Sequence, residues 1–196
     1  MVYDRGAGTA AYDGLDVVAG AELMDVDGAL RFVKGTGGAW AGYDANGNMT
    51  ARVVDGQAFL LSWDHENRLT QVNQGASTVA QFWYDGDGKR VKGTVNGTTT
   101  AYVGDYYELT GGTARKYYTH WGRRIAMQEG GTLYWLVTDH LGSTAVLATS
   151  AGVKDQELRY KAWGEARSGA ITRTTYHFTG QREESTLQLY YFGARW

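Results

Sequence analysis

From residue 43 onward the chain alternates apolar and polar positions in short runs. Met49, Ala51 and Val53 alternate with Thr50 and Arg52, and Val91 and Val95 with Arg90, Lys92 and Thr94. Val79, Gln81 and Trp83 stand opposite Ala80, Phe82 and Tyr84, an aromatic-rich run with two usable faces. A period of two residues is that of a β-strand. The runs are punctuated by Asn46-Gly47, Asp87-Gly88, Asn96-Gly97, Gly111-Gly112 and Gly130-Gly131. These residue types tolerate the positive φ of two-residue primed hairpin turns. Strands so closely and regularly spaced predict an antiparallel all-β architecture. Residues 1–42 follow neither a helix nor a strand period. Short strands or irregular cover are expected there, with a helical turn near 17–24.

A unit then recurs. Tyr43-Asp44-Ala45-Asn46-Gly47-Asn48 is followed by Trp63-Asp64-His65-Glu66-Asn67-Arg68 and by Tyr84-Asp85-Gly86-Asp87-Gly88-Lys89, with Gly104-Asp105 as a worn fourth step. A fixed period near 20 residues signals stacked units that bury their apolar faces against one another. After Asp139 the rhythm changes. The rest is aromatic-dense and Gly-punctuated, as expected of a cap. Three segments result: an N-terminal segment 1–42, repeats 43–138 and a closing segment 139–196.

Glycine, 28 of 196 residues, runs at about twice the usual ~7% and fits a chain full of tight turns. Proline is absent, so every backbone N–H is available to a sheet ladder and no edge strand is blunted by a ring. The net charge of −2 gives no electrostatic footprint for nucleic acid. Cysteine is absent too, which removes disulfides and thiolate metal sites. No run approaches the ~18–20 apolar residues of a membrane-spanning helix, and the first residues have no signal-peptide pattern.

Catalytic readings are weak. Asp139, His140 and Ser143 invite a hydrolase triad, yet they lie within five residues, and no Gly-x-Ser-x-Gly elbow accompanies them. Asp139 and His140 are expected instead to hydrogen-bond a turn and position the cap. Asp85-Gly86-Asp87-Gly88-Lys89 opens like a calcium loop but lacks the later ligands, so a hairpin turn is expected. His65, His120, His140 and His177 show no metal-ligand spacing. Glu183-Glu184 point to opposite faces of a strand and read as solvent-facing charge, and Arg123-Arg124 as edge protection. No catalytic, metal or cofactor residue is assigned.

Several boxes, in order, resemble the rearrangement-hotspot (RHS), or YD-repeat, proteins and their core module. Tyr43-Asp44, Trp63-Asp64 and Tyr84-Asp85 resemble the repeat starts. Asp139-His140-Leu141-Gly142-Ser143-Thr144 is similar to the core's Asp-His-Leu-Gly-Ser-Thr box. Tyr160 to Glu165 resembles Tyr-x-Pro-Trp-Gly-Glu around Trp163 and Gly164, with Ala162 where Pro usually stands. Phe178, Gly180 and Gln181 resemble Phe-Thr-Gly-Gln, and Leu189 to Trp196, with Arg195, the final box. The likeness covers roughly residues 40–196. It implies a curved or spiralling β-hairpin strip with an aromatic-rich C-terminal cap, of the kind that encloses or presents toxin cargo. The family's self-cleaving Asp-Pro boxes are absent from this sequence, so that activity is not carried over. The expected role is a non-enzymatic wall unit in a surface or extracellular setting. Its expected partners are copies of itself, as an oligomer or filament joined through sheet edges, or other shell components and cargo. The alternative is a carbohydrate-binding module using exposed Tyr and Trp.

Overall fold

The structure, a computed structural model, describes residues 9–10, 21–26, 29–34, 39–54, 56–193 and 196. Arg195 lies outside the described residues. Two compact units, residues 1–81 and 82–196, divide the chain.

The first unit contains β1 (Thr9–Ala10), β2 (Ala21–Val26), β3 (Ala29–Lys34), β4 (Ala39–Tyr43), β5 (Met49–Val54), β6 (Gln57–Trp63), β7 (Leu69–Gln74) and the start of β8 (Ser77–Tyr84). Each pairs antiparallel with the next. From Ala21 the segment where a helical turn was expected is therefore strand, and 17–20 lie outside the described residues. In β6, Phe59 and Leu61 are buried while Leu60 between them is exposed, and Leu69, Val72 and Ala80 complete this buried face. That alternation is the sequence period made visible.

In the second unit β9 (Arg90–Val95), β10 (Thr98–Val103), β11 (Tyr107–Thr110), β12 (Thr113–His120), β13 (Arg123–Glu129), β14 (Thr132–Thr138), β15 (Thr144–Thr149), β16 (Lys154–Tyr160) and β17 (Ala166–Ala170) form a meander. A small separate hairpin, β18 (Arg182–Glu184) with β19 (Leu189–Tyr191), follows. Tyr117, Met127, Tyr134, Leu136, Leu147 and Leu158 of the meander pack with Ile171 and Tyr176 of the C-terminal segment into one core. Tyr118, Trp135 and Val137 remain exposed. The closing segment thus covers the sheet face that carries this core.

Two kinds of turn join the strands. Asn96-Gly97, Gly111-Gly112, Trp121-Gly122 and Gly130-Gly131 have positive φ at both residues, as a type I′ turn requires. The Asp turns correct the expectation of a primed pair. In Asp44–Asn48 only Gly47 has positive φ, its N–H bonds Asp44 O at 3.0 Å, and Asp44 N bonds Asn48 O at 2.9 Å. The register shifts at Gly42/Tyr43. This is a three-residue connection closed by a bulge. Since a meander returns to the same end after two strands, the 20-residue period is one out-and-back stroke.

Candidate functional site

Asp44 shows why the aspartate recurs. Its Oδ1 accepts the backbone N–H groups of Asn46 and Asn48, both at 2.9 Å. Asp64 does the same for Glu66 and Arg68, and Asp85 for Asp87 and Lys89. One carboxylate oxygen thereby satisfies two donors that the turn leaves without a ladder partner. The residue three beyond each Asp adopts positive φ: Gly47, Asn67 and Gly88. Within the first unit, adjacent turns are stitched by Asn48 Nδ2 donating to Asn67 Oδ1 at 2.8 Å and Trp63 Nε1 to Met49 O at 2.7 Å. Burial alone would raise the Asp44 and Asp64 carboxyls, but the N–H donors of Asn48 and Arg68 hold both below the ordinary carboxylate range.

Asp139 makes the same turn. Its Oδ1 accepts from Leu141 N (2.9 Å) and Ser143 N (2.8 Å), and Gly142, with φ of 84°, takes the bulge position. The box that read as the end of the repeat is built on one more copy of its turn. Asp105 is different: it accepts from the Tyr176 hydroxyl at 3.3 Å.

Beyond this turn the box docks the closing segment. Ser143 is fully buried and its Oγ accepts the N–H of Thr179 at 3.1 Å. Thr144 N donates to His177 O, and Thr144 O accepts the Tyr160 hydroxyl at 2.7 Å. Gly180 O receives Arg124 Nη1 at 2.8 Å, and that guanidinium lies 3.2 Å from the Tyr176 ring centroid. Gln181 N donates to Phe178 O. Gly164 passes so close to Phe178 that a Cβ there would stand 2.8 Å from the ring. Trp163 and His140 are exposed, and His140 makes no side-chain hydrogen bond among the described residues. The expected turn bond of His140 is therefore corrected. The structure does not assemble Asp139, His140 and Ser143 as a relay, because Asp139 is occupied by backbone donors and Ser143 by Thr179.

A row of alternating charge, invisible in the sequence and running from exposed Asp155 to buried Glu108 and Arg182, fastens the segment further. Asp155, Arg173, Glu129, Arg115, Glu108 and Arg182 alternate in sign along a continuous chain of contacts. Glu108 is 1% exposed; it pairs with Arg182 and accepts the Tyr117 hydroxyl at 2.8 Å. Arg182 also donates to Thr175 Oγ1 and to the Tyr176 hydroxyl at 2.6 Å. Burial works against the Arg182 charge, yet Tyr176 and Glu108 raise its pKa above the ordinary value. Burial, then Glu108, pushes the Tyr117 phenol up.

Glu183 and Glu184 do point to opposite sides but are not solvent-facing. Glu183 pairs with His177, and Glu184 lies 2.8 Å from Arg90. The guanidinium of Arg90 sits 4.6–5.4 Å from the ring centroids of Phe82, Tyr102, Tyr191 and Trp196. Among the described residues no three His, Cys, Asp or Glu side chains gather as a metal site.

Fold and site together define a class: an antiparallel, repeat-built β wall whose last strokes are clasped by an aromatic C-terminal segment. No family model matches the chain. It is 30% identical over 169 residues to the tRNA3(Ser)-specific nuclease WapA of Bacillus spizizenii and, equally, to the tRNA nuclease WapA of Bacillus subtilis strain 168. These matches take in 79% of this chain and 7% of each relative. Among solved structures, the Photorhabdus luminescens Tc holotoxin pore matches 89% of this chain at 18% identity with a TM-score of 0.65. A TcdB2–TccC3 structure matches 77% at 21% identity and 0.61. The chain spans only 11% and 9% of those chains. It is homologous in part to YD/RHS-repeat toxin proteins and has the all-β meander fold of the Tc toxin's RHS shell. The aligned stretch is the shell portion of these larger proteins, and the nuclease domains of the relatives lie elsewhere.

Proposed function

We propose that this chain is a structural wall segment that joins neighbouring wall through its sheet edges and so helps to enclose toxin cargo in a surface or extracellular setting. The single observation that carries the reading is the recurrence of one Asp turn, which makes the chain a series of equivalent strokes and gives Asp44, Asp64, Asp85 and Asp139 a common structural role. In the same reading, residues 139–196 close the repeats of 43–138, with Ser143, Thr144, Gly164, Phe178, Gly180 and Gln181 as the docking contacts. It is supported by the shell that the matched region builds with other components of the Tc toxin.

We take β17 as the place to test edge-to-edge joining: all five of its residues are exposed, and it pairs antiparallel with β16. An exposed edge presents N–H and C=O groups to another strand. Light scattering and negative-stain electron microscopy of the purified chain test the reading. Oligomers, arcs or filaments are expected, and proline at Arg167 or Ser168, whose N–H groups face opposite ways, should disperse them in one case while the circular dichroism stays that of a sheet. A monodisperse monomer across the concentration range overturns it.

A further inference from the structure

Nitrogens of two guanidinium groups in the second unit, Arg90 Nη2 and Arg124 Nε, are buried without a hydrogen-bond acceptor. Both side chains line a cavity of about 880 Å³ between the Asp-turn ends of the strands and the closing segment. That volume is in the range of small-molecule sites, ~300–1,000 Å³. Lys89, Arg123 and Arg182 line it too, and among the described residues Asp105 is the one carboxylate facing these cations. Arg90 and Arg182 already carry Glu184 and Glu108. Lys89, Arg123 and Arg124 have no carboxylate partner among the described residues. The cavity therefore holds an excess of positive charge in a chain whose net charge is negative.

The unpaired cations are set apart. Lys89 ends the turn before β9 and Arg123 opens β13, four strand spacings or about 19 Å away along the sheet. The long arms of Lys and Arg close part of that gap. A point anion such as a single carboxylate cannot pair with both, whereas a chain of phosphates spreads its charge along its length. Tyr106 stands on the same margin, in the turn from β10 to β11 and so between the two cations, and is 60% exposed. Its ring is a flat face for an uncharged part of the same ligand, and Phe192 borders the cavity from the closing segment. An extended peptide fits less well. The Asp139 turn on this wall uses the N–H groups of Leu141, Gly142 and Ser143 internally and offers it no ladder.

We propose that this cavity binds a nucleoside polyphosphate. The phosphates lie between Lys89 on one side and Arg123 and Arg124 on the other, each guanidinium presenting a planar fork to phosphate oxygens, and the base stacks on Tyr106. Charge fixes the phosphate chain and the ring selects for a base at its end. The site does not depend on the wall reading, because a monomeric chain would carry it too.

Isothermal titration calorimetry of the full chain tests the assignment at moderate salt in EDTA, which leaves the protein's own cations as the counter-charge. ATP is the probe. Tripolyphosphate should bind more weakly than ATP, and adenosine, tetraglutamate and tetragalacturonate should not bind. The double variant K89E/R123E, which changes only exposed side chains, should weaken ATP binding by about tenfold or more. Y106A should weaken ATP by a smaller factor and leave tripolyphosphate unchanged. Absence of ATP binding, or equal affinity in K89E/R123E, would overturn the site. Tripolyphosphate binding as tightly as ATP, or unchanged ATP affinity in Y106A, would overturn the nucleoside. Tetraglutamate or tetragalacturonate binding as tightly as ATP would overturn the phosphate.

Discussion

Glu108 and Arg182, 74 residues apart in sequence, meet as an ion pair with both side chains nearly inaccessible to water. The carboxylate is completed by Tyr117 and the guanidinium by Thr175 and Tyr176, which is the condition for a buried pair to be tolerated. Its energetic meaning lies in what happens when half of it is removed. Glu108→Leu leaves Arg182 without a carboxylate and should cost about 3–5 kcal/mol, and Arg182→Met leaves Glu108 only its 3.6 Å contact with Arg115 and should cost somewhat less. The double variant Glu108→Leu with Arg182→Met should be more stable than either single one. Urea unfolding followed by tyrosine and tryptophan fluorescence reads the comparison. Additive losses would show that the pair is not coupled.

The Asp turn separates acceptor from charge. Asp139→Ala strands the N–H groups of Leu141 and Ser143 and should cost about 1–3 kcal/mol. Asp139→Asn keeps an oxygen at the same place and should lose less than half as much. Denaturant midpoints of the two variants settle the order, and equal losses would mean that the charge rather than the acceptor matters.

Glycine is required to different degrees at different positions of positive φ. Gly47 has φ of 83° and open space around its Cβ position, so Gly47→Ala should cost only the left-handed strain of about 1–2 kcal/mol. Gly169, with φ of 77°, would place a Cβ 2.1 Å from Glu157 O. Gly169→Ala should therefore be worse, by roughly 2 kcal/mol or more, because strand backbone has to move. Thermal melts of both variants, with the unit that each perturbs followed by hydrogen exchange, check the ranking.

Acid should loosen the clasp before it loosens the core. The hydrogen bond from His177 holds the Glu183 carboxyl below its ordinary value of 4.5, against the opposing effect of burial. A folded-state pKa below the unfolded one contributes stability that is present above about pH 4.5 and is lost as pH falls through the folded value. Glu183→Gln should flatten the dependence of stability on pH in that acidic window and leave it unchanged near neutrality. An identical acid slope in the variant would refute the linkage.

The strands were legible because Met49 to Val53 and Val91 to Val95 alternate with a period of two, and the repeats because Tyr43-Asp44, Trp63-Asp64 and Tyr84-Asp85 keep their spacing. The kind of turn was not. Asn46-Gly47 is as good a primed pair as Asn96-Gly97 on residue preference, and only the two bonds to Asp44 Oδ1 decide for the bulged form. Asp139 escaped the repeat because His140 and Leu141 replace the usual turn residues while Gly142 keeps the backbone the same. Glu183 and Glu184 read as surface charge because their partners, His177 and Arg90, are set by the fold: one is six residues away and the other more than ninety. Sequence spacing carries no trace of a row such as Asp155 to Arg182, whose members come from five separate segments.

The equivalence of Asp44 and Asp64 also bears on how such a chain can change length. Excising residues 45–64 would splice Asp44 onto His65-Glu66-Asn67-Arg68, a complete turn with Asn67 already suited to the left-handed position. One out-and-back pair of strands disappears, the inward and outward sides stay as they were, and the polypeptide re-enters at the same margin. Unequal recombination between two such codons therefore deletes or duplicates a whole course of the wall, and the gene can grow or shrink without passing through an unfoldable product.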